Sequence, residues 1–175
     1  ARGLCLEPSP STFFKLRLNH LFHPRVRCVR AAVSNHPGAL PFIEDGYEAT
    51  LSRVAQTEHE ESNEQSGSPA TIDVPALTLD QILSKYESFK EIDLLSIDVE
   101  GHERQILEGM NDSSLRARII ILETDKSDIE EVLSLPALKS YVPRFTNGVN
   151  LILAHESEPT PSSSFVPIVE NFLPY

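Results

Sequence analysis

The chain has 175 residues, enough for one domain with a core of its own, and its 40% hydrophobic content is ordinary for a globular protein. With 26 acidic against 15 basic residues its formal net charge is −11, which repels a phosphate backbone and argues against a nucleic-acid partner. No apolar run approaches the roughly 20 residues of a membrane span and no charged segment leads into a hydrophobic one, so a soluble chain is expected, cytoplasmic by default.

Gly3-Leu4-Cys5-Leu6-Glu7 predicts a short apolar strand ending in an acid. Ser9 then suits an N-cap and Pro10 the first helical position, where its missing N–H is no loss. Phe14, Leu18 and Leu21 follow at i, i+4 and i+7, one apolar helix face, before His23-Pro24 breaks the pattern. Val26 to Val33 predicts the next strand, closed by the turn cluster Ser34-Asn35-His36-Pro37-Gly38. Cys5 and Cys28 fall in these two strands without metal-ligand spacing and read as buried free thiols, with a disulfide open only if the strands are neighbours. Arg17, Arg25, Arg27 and Arg30 form a basic cluster that a solvated face explains more simply than a phosphate site.

Leu40-Pro41-Phe42-Ile43 predicts the start of a hairpin, whereas residues 56–69, dense in Glu, Ser, Gln and Asn, predict a mobile surface loop. Thr78 and Gln81 have capping-box spacing, with Leu77 and Ile82 as the accompanying staple, so a helix is expected from Leu79 to Phe89. Ile92, Leu94, Leu95, Ile97 and Val99 make a near-continuous apolar run, the pattern of a parallel strand covered on both faces, and it ends in Asp98, Glu100 and Gly101. His102 to Met110 predicts a helix with Ile106, Leu107 and Met110 facing the sheet. Ala117 to Leu122 predicts a buried strand that also ends in an acid, Glu123, and Asp128 to Leu133 a short helix. Phe145 to Ala154, with Asn147-Gly148 as turn chemistry, predicts a closing antiparallel hairpin. Residues 1–155 thus read as one domain, and 156–175 as a linker with an apolar tail.

Three strands therefore end in acids: Glu7, Asp98 and Glu123. In open α/β sheets ligands bind beyond the carboxyl ends of the strands, so these acids are candidates for binding or chemistry. The plainer reading is that Asp98 and Glu100 cap the following helix. Asp98, Glu100, His102 and Glu123 could also hold a divalent cation, since hard oxygen ligands suit magnesium or calcium, but spacing by twos is not a recognised ligand pattern and metal is not the favoured reading.

The stretch from Asp93 to Met110, centred on Ser96-Ile97-Asp98-Val99-Glu100-Gly101-His102-Glu103, resembles the signature of the FkbM-type methyltransferases, a branch of the S-adenosylmethionine-dependent enzymes. Leu6-Glu7-Pro8-Ser9-Pro10, Leu77-Thr78-Leu79-Asp80 and Ile119-Ile120-Ile121-Leu122-Glu123 fall in the order that family shows, and together the segments span most of residues 3 to 123. The resemblance implies an α/β fold with a Rossmann-like class I methyltransferase sheet, followed here by the C-terminal antiparallel hairpin. It implies S-adenosyl-L-methionine as cofactor, with Glu7 on its ribose, Val33 and Ser34 flanking its adenine and Asp98 facing the donor. The implied reaction is O-methylation of a hydroxyl on a carbohydrate or other small-molecule acceptor, with Glu100 or His102 taking the acceptor's proton; His102 has the better unperturbed pKa for that task, but it could equally just begin a helix.

Two departures matter. Ser96 stands where the family commonly carries a lysine. The first strand and Gly-rich turn that cradle the donor should precede Glu7, and the seven glycines, at 3, 38, 46, 67, 101, 109 and 148, form no such turn. The expectation is an N-terminally truncated sheet and an enzyme incomplete in this stretch. A degenerate, non-catalytic interaction module stands as the alternative. A nicotinamide-dependent oxidoreductase, which an acid after the second strand would also serve, is less favoured, because no Tyr-Lys or His constellation accompanies it.

Overall fold

The computed structural model describes residues 1–44, 53–54, 70–89, 91–110, 116–125 and 128–159. In chain order these form β1 (Gly3–Leu6), α1 (Pro10–Asn19), β2 (Val26–Val29), β3 (Ala32–Val33), β4 (Gly38–Glu44), β5 (Arg53–Val54), β6 (Ala70–Leu77), α2 (Leu79–Lys85), β7 (Glu91–Ile97), α3 (Glu103–Glu108), β8 (Arg116–Glu123), α4 (Ile129–Leu133), β9 (Tyr141–Thr146) and β10 (Asn150–His155). The loop expected at 56–69 and the C-terminal tail from 160 lie outside the described residues.

Three of the helices, α1, α2 and α4, begin at capping side chains. Ser9 Oγ accepts from Thr12 N at 3.2 Å with Pro10 in the first turn. Thr78 and Gln81 make the reciprocal capping box, and Asp128 accepts from the N–H groups of Glu130 and Glu131. Each satisfies N–H groups that a helix start leaves without intrahelical partners. The helix expected to reach Phe89 stops at Lys85, and a single 3-10 turn over Glu87–Phe89 follows.

The fold is mixed α/β, with three sheets in place of one continuous sheet. β1 and β2 pair in parallel, with Cys5 and Cys28 as register partners, both free and half-buried. The segment expected to be one strand from Val26 to Val33 is two, because the chain changes partners: β2 lies on β1, while β3 pairs in parallel with β6. β4 runs antiparallel to both β6 and β5. The third sheet has the order β7-β8-β10-β9; β7 and β8 are parallel, and β9 and β10 form the expected hairpin, closed through Asn147 and Gly148.

One face of this third sheet carries the core. Ile97, Ile120, Leu122, Leu151 and Leu153 pack with Ile106 and Leu107 of α3, Val132 of α4, and Leu135 and Leu138 beyond it. The other face is open, which corrects the expectation that β7 is covered on both faces. β7 pairs only with β8 among the described residues, Leu94 is 54% exposed and its register partner Ile119 is 40% exposed. The apolar side of α1 is also uncovered, with Phe14 and Leu18 exposed, and Leu21, expected on the same face, lies exposed in the turn after the helix.

Gly109, just after α3, lies against the end of β3. A Cβ there would sit 2.6 Å from Ser34 O and 2.9 Å from Asn35 Cα, both backbone atoms, so close approach and not backbone conformation requires glycine. Gly109→Ala is expected to cost roughly 1–3 kcal/mol and lower the melting temperature by about 2–10 °C. An unchanged thermal melt would contradict this packing.

Candidate functional site

β7 and β8 run in parallel with Ile97 opposite Leu122, so their carboxyl ends coincide, and Asp98 and Glu100 just beyond β7 meet Glu123 at the end of β8. Carboxylate oxygens of Asp98, Glu100 and Glu123 lie within 4.8 Å of one another. Asp98 is exposed and the other two are half-buried. The turn that brings Glu100 back toward the strand ends is unusual: its φ is +56°, and it is the one non-glycine with positive φ among the described residues. Gly101 follows at φ +98°. Left-handed backbone at a side-chain-bearing residue costs roughly 1–2 kcal/mol, and such strain concentrates at functional sites.

What holds the turn is Glu103, in the first turn of α3 and 1% exposed. Its Oε1 accepts from Val99 N at 3.2 Å and from Gly101 N at 3.1 Å, bracketing Glu100. Two hydrogen bonds to a carboxyl group, each worth about 1 kcal/mol or more, suffice to offset the strain.

The acids repel one another. Glu123 is pushed up to about 7 by desolvation first, then by its hydrogen bond to Asp98 and by the charges of Asp98, Asp125 and Glu100. Its Oε2 is buried without a hydrogen-bond partner. With the folded-state pKa above the ordinary 4.5, the folded chain holds a proton that the unfolded chain releases. Stability from this group is therefore full below the ordinary value and is lost as pH rises toward 7. Glu123→Gln removes that dependence, so the melting temperature of the variant relative to the parent is expected to rise between about pH 5 and about pH 8. Equal differences at both pH values would contradict the assignment.

Of the other expected site residues, His102 does not join the three acids. Its Nε2 lies 3.0 Å from Ser34 Oγ, and burial lowers its pKa, with Glu103 opposing and His36 assisting. Ser34 is 1% exposed, donates its N–H to Leu77 O and stands at the end of β3, with Val33 packed on the core beneath. Asn35 Nδ2 donates to Glu108 Oε2, and Arg104 bridges Glu108 and Glu131, so the β3 end is tied to α3 and α4. Glu7 does not join the acids either; its Oε1 accepts from Ser9 N at 2.8 Å and closes the turn into α1. Three of the four residues considered for a divalent cation, Asp98, Glu100 and Glu123, are thus placed to share one.

Two surface cavities lie away from this rim. One of about 500 Å³ is lined by Phe14, Arg17, Leu18 and neighbours on α1 and β2. Another of about 270 Å³ sits at the opposite, amino ends of β7 and β8, among Glu91, Asp93, Arg118 and Glu158. There Arg118 pairs with Asp93 and Glu158, and a further structural contact, Tyr141 Oη, bonds both N and O of Ala117.

Residues 2–144 match the profile of the Methyltransferase FkbM domain, a stretch that contains every acid of the rim. The chain belongs to the FkbM methyltransferase family. It is similar to the "Hexuronic acid methyltransferase AglP" of Haloferax volcanii, at 23% identity over 158 residues, covering 87% of this chain and 61% of that protein. The chain thus spans less than two thirds of the length of this curated relative. No solved structure gives a significant match. Within this FkbM domain, two residues were not singled out from the sequence: Glu103, whose signal is a glutamate set one turn after the Asp98 strand end, and Gly109, whose close approach to Ser34 has no local signal.

Proposed function

We propose that this FkbM domain carries the acid rim of an S-adenosylmethionine-dependent enzyme that methylates a hydroxyl group of a sugar acid or similar small molecule. The observation that carries the reading is the meeting of Asp98, Glu100 and Glu123 at the coincident ends of two parallel strands, inside the family-matched region. Three carboxyl groups, one with a buried unpartnered oxygen, suit a cationic donor better than a neutral or anionic one. When bound, the donor supplies a methyl group on a positively charged sulfur. Asp98 faces that charge, and Glu100 takes the proton of the acceptor hydroxyl. His102 fixes Ser34 through its Nε2 contact so that Val33 and Ser34 flank the adenine, while Glu7 accepts from the ribose hydroxyls.

The same reading joins β2-β1 and β7-β8-β10-β9 into one Rossmann-like sheet through a strand between β1 and β7, supplied by preceding polypeptide. β1 and β7 each have one pairing partner among the described residues. The Arg2 guanidinium lies 5.8 Å from the Phe89 ring centroid, bringing the starts of β1 and β7 together. A helix following such a strand would cover Leu94 and Ile119.

The test is incubation of the longer polypeptide containing this chain with methyl-labelled S-adenosylmethionine and a panel of hexuronic acids and neutral sugars. The reading expects one labelled methyl ether on a sugar acid. Donor binding without transfer to any acceptor would favour a non-catalytic module instead.

A further inference from the structure

We infer that Glu103 is the positioning residue of the acid rim: its carboxyl group, by drawing in the N–H groups of Val99 and Gly101, holds Glu100 in the left-handed turn that sets its side chain beside Asp98 and Glu123. The inference rests on the proposed methyl-transfer reading for its catalytic consequence, but its geometry stands apart from it.

Several observations converge on this one side chain. Glu103 is among the most deeply buried side chains, 1% exposed, in a chain whose other acids at this end are exposed or half-buried. A buried carboxyl group must be matched by donors, and the two that Oε1 takes flank Glu100 on either side in sequence. Glu100 and Gly101 are consecutive residues with positive φ, a path that turns the chain back sharply and leaves N–H groups pointing inward. The residue that caps α3 by position, His102, makes no side-chain cap bond, and its ring is engaged by Ser34. Glu103 is therefore the side chain that fixes this turn from inside the fold. Neighbouring Ile106 and Leu107, both buried, anchor the helix that carries it.

Reach and not charge is what this role requires. Glu103→Gln keeps an acceptor oxygen at the same distance, whereas Glu103→Asp keeps the charge and withdraws the oxygen by one methylene. In the longer, active polypeptide, Glu103→Gln is expected to hold kcat within about threefold of the parent, and Glu103→Asp to lower it by about 10²-fold with KM for donor and acceptor little changed, as for a displaced reacting group. The amide protons of Val99 and Gly101 should stay protected from exchange in the parent and in Glu103→Gln, and lose protection in Glu103→Asp. Equal impairment of Gln and Asp, or better activity in Asp than in Gln, would assign Glu103 an electrostatic role and overturn the inference. Should the parent transfer no methyl group, the functional reading fails while the exchange data still decide: unchanged protection of both amides in Glu103→Asp, or its loss in Glu103→Gln, removes the positioning role.

Discussion

On the proposed methyl-transfer reading, replacing Glu100 by Gln in an active polypeptide containing this chain is expected to lower turnover by about 10²-fold or more while leaving the melting temperature close to that of the parent. The substitution keeps size and most hydrogen-bonding capacity and removes the capacity to take a proton. The competing role, capping the next helix, is weakened by the structure: α3 starts at Glu103 behind His102, and the N–H groups of Val99 and Gly101 go to Glu103. Glu100 is instead set among the acids, on a backbone conformation that glutamate rarely adopts. Steady-state kinetics beside a thermal melt separates the two roles. Unchanged turnover would return Glu100 to a structural one.

The second large effect concerns donor affinity. Among the described residues the chain keeps acids at the ends of β7 and β8, but β7 pairs with β8 alone and Leu94 is exposed. On the proposed reading a further strand pairs with β7, since N–H and C=O groups left unmatched in a sheet are costly. Calorimetric titration with S-adenosylmethionine is expected to give a Kd weaker than about 1 mM for this chain, and at least a hundredfold tighter binding, roughly 3 kcal/mol, for the chain extended upstream. Micromolar binding by the short chain would place the donor on surfaces already present.

The sequence made local features legible and long-range ones less so. Ser9, Thr78 with Gln81, and Asp128 marked helix starts correctly because a cap is a matter of three or four adjacent residues. The hairpin at Asn147-Gly148 was readable for the same reason. The break between β2 and β3 was not, since an exchange of β1 for β6 as partner leaves no trace in an alternating run. Burial of β7 was misjudged because apolar content reports what a strand can bury, while exposure of Leu94 depends on neighbours far away in sequence. At the strand ends the acids were readable from strands that end alike, but which of them meet was not: the structure brings Glu123 to Asp98 and leaves Glu7 in the turn before α1. The separation of His102 from them, toward Ser34, and the reach of Glu103 depend on the φ values of Glu100 and Gly101, which no residue pattern dictates for a glutamate.

The most direct measurement of the central claim, that chemistry occurs where β7 and β8 end and not where they begin, is carboxyl-labelled NMR of the upstream-extended protein titrated with S-adenosylmethionine. The resonances of Asp98, Glu100 and Glu123 are expected to move with donor concentration, and those of Glu91, Asp93 and Glu158, which line the cavity at the other end of the same strands, to stay in place. Movement of the second group with the first unperturbed would contradict the account.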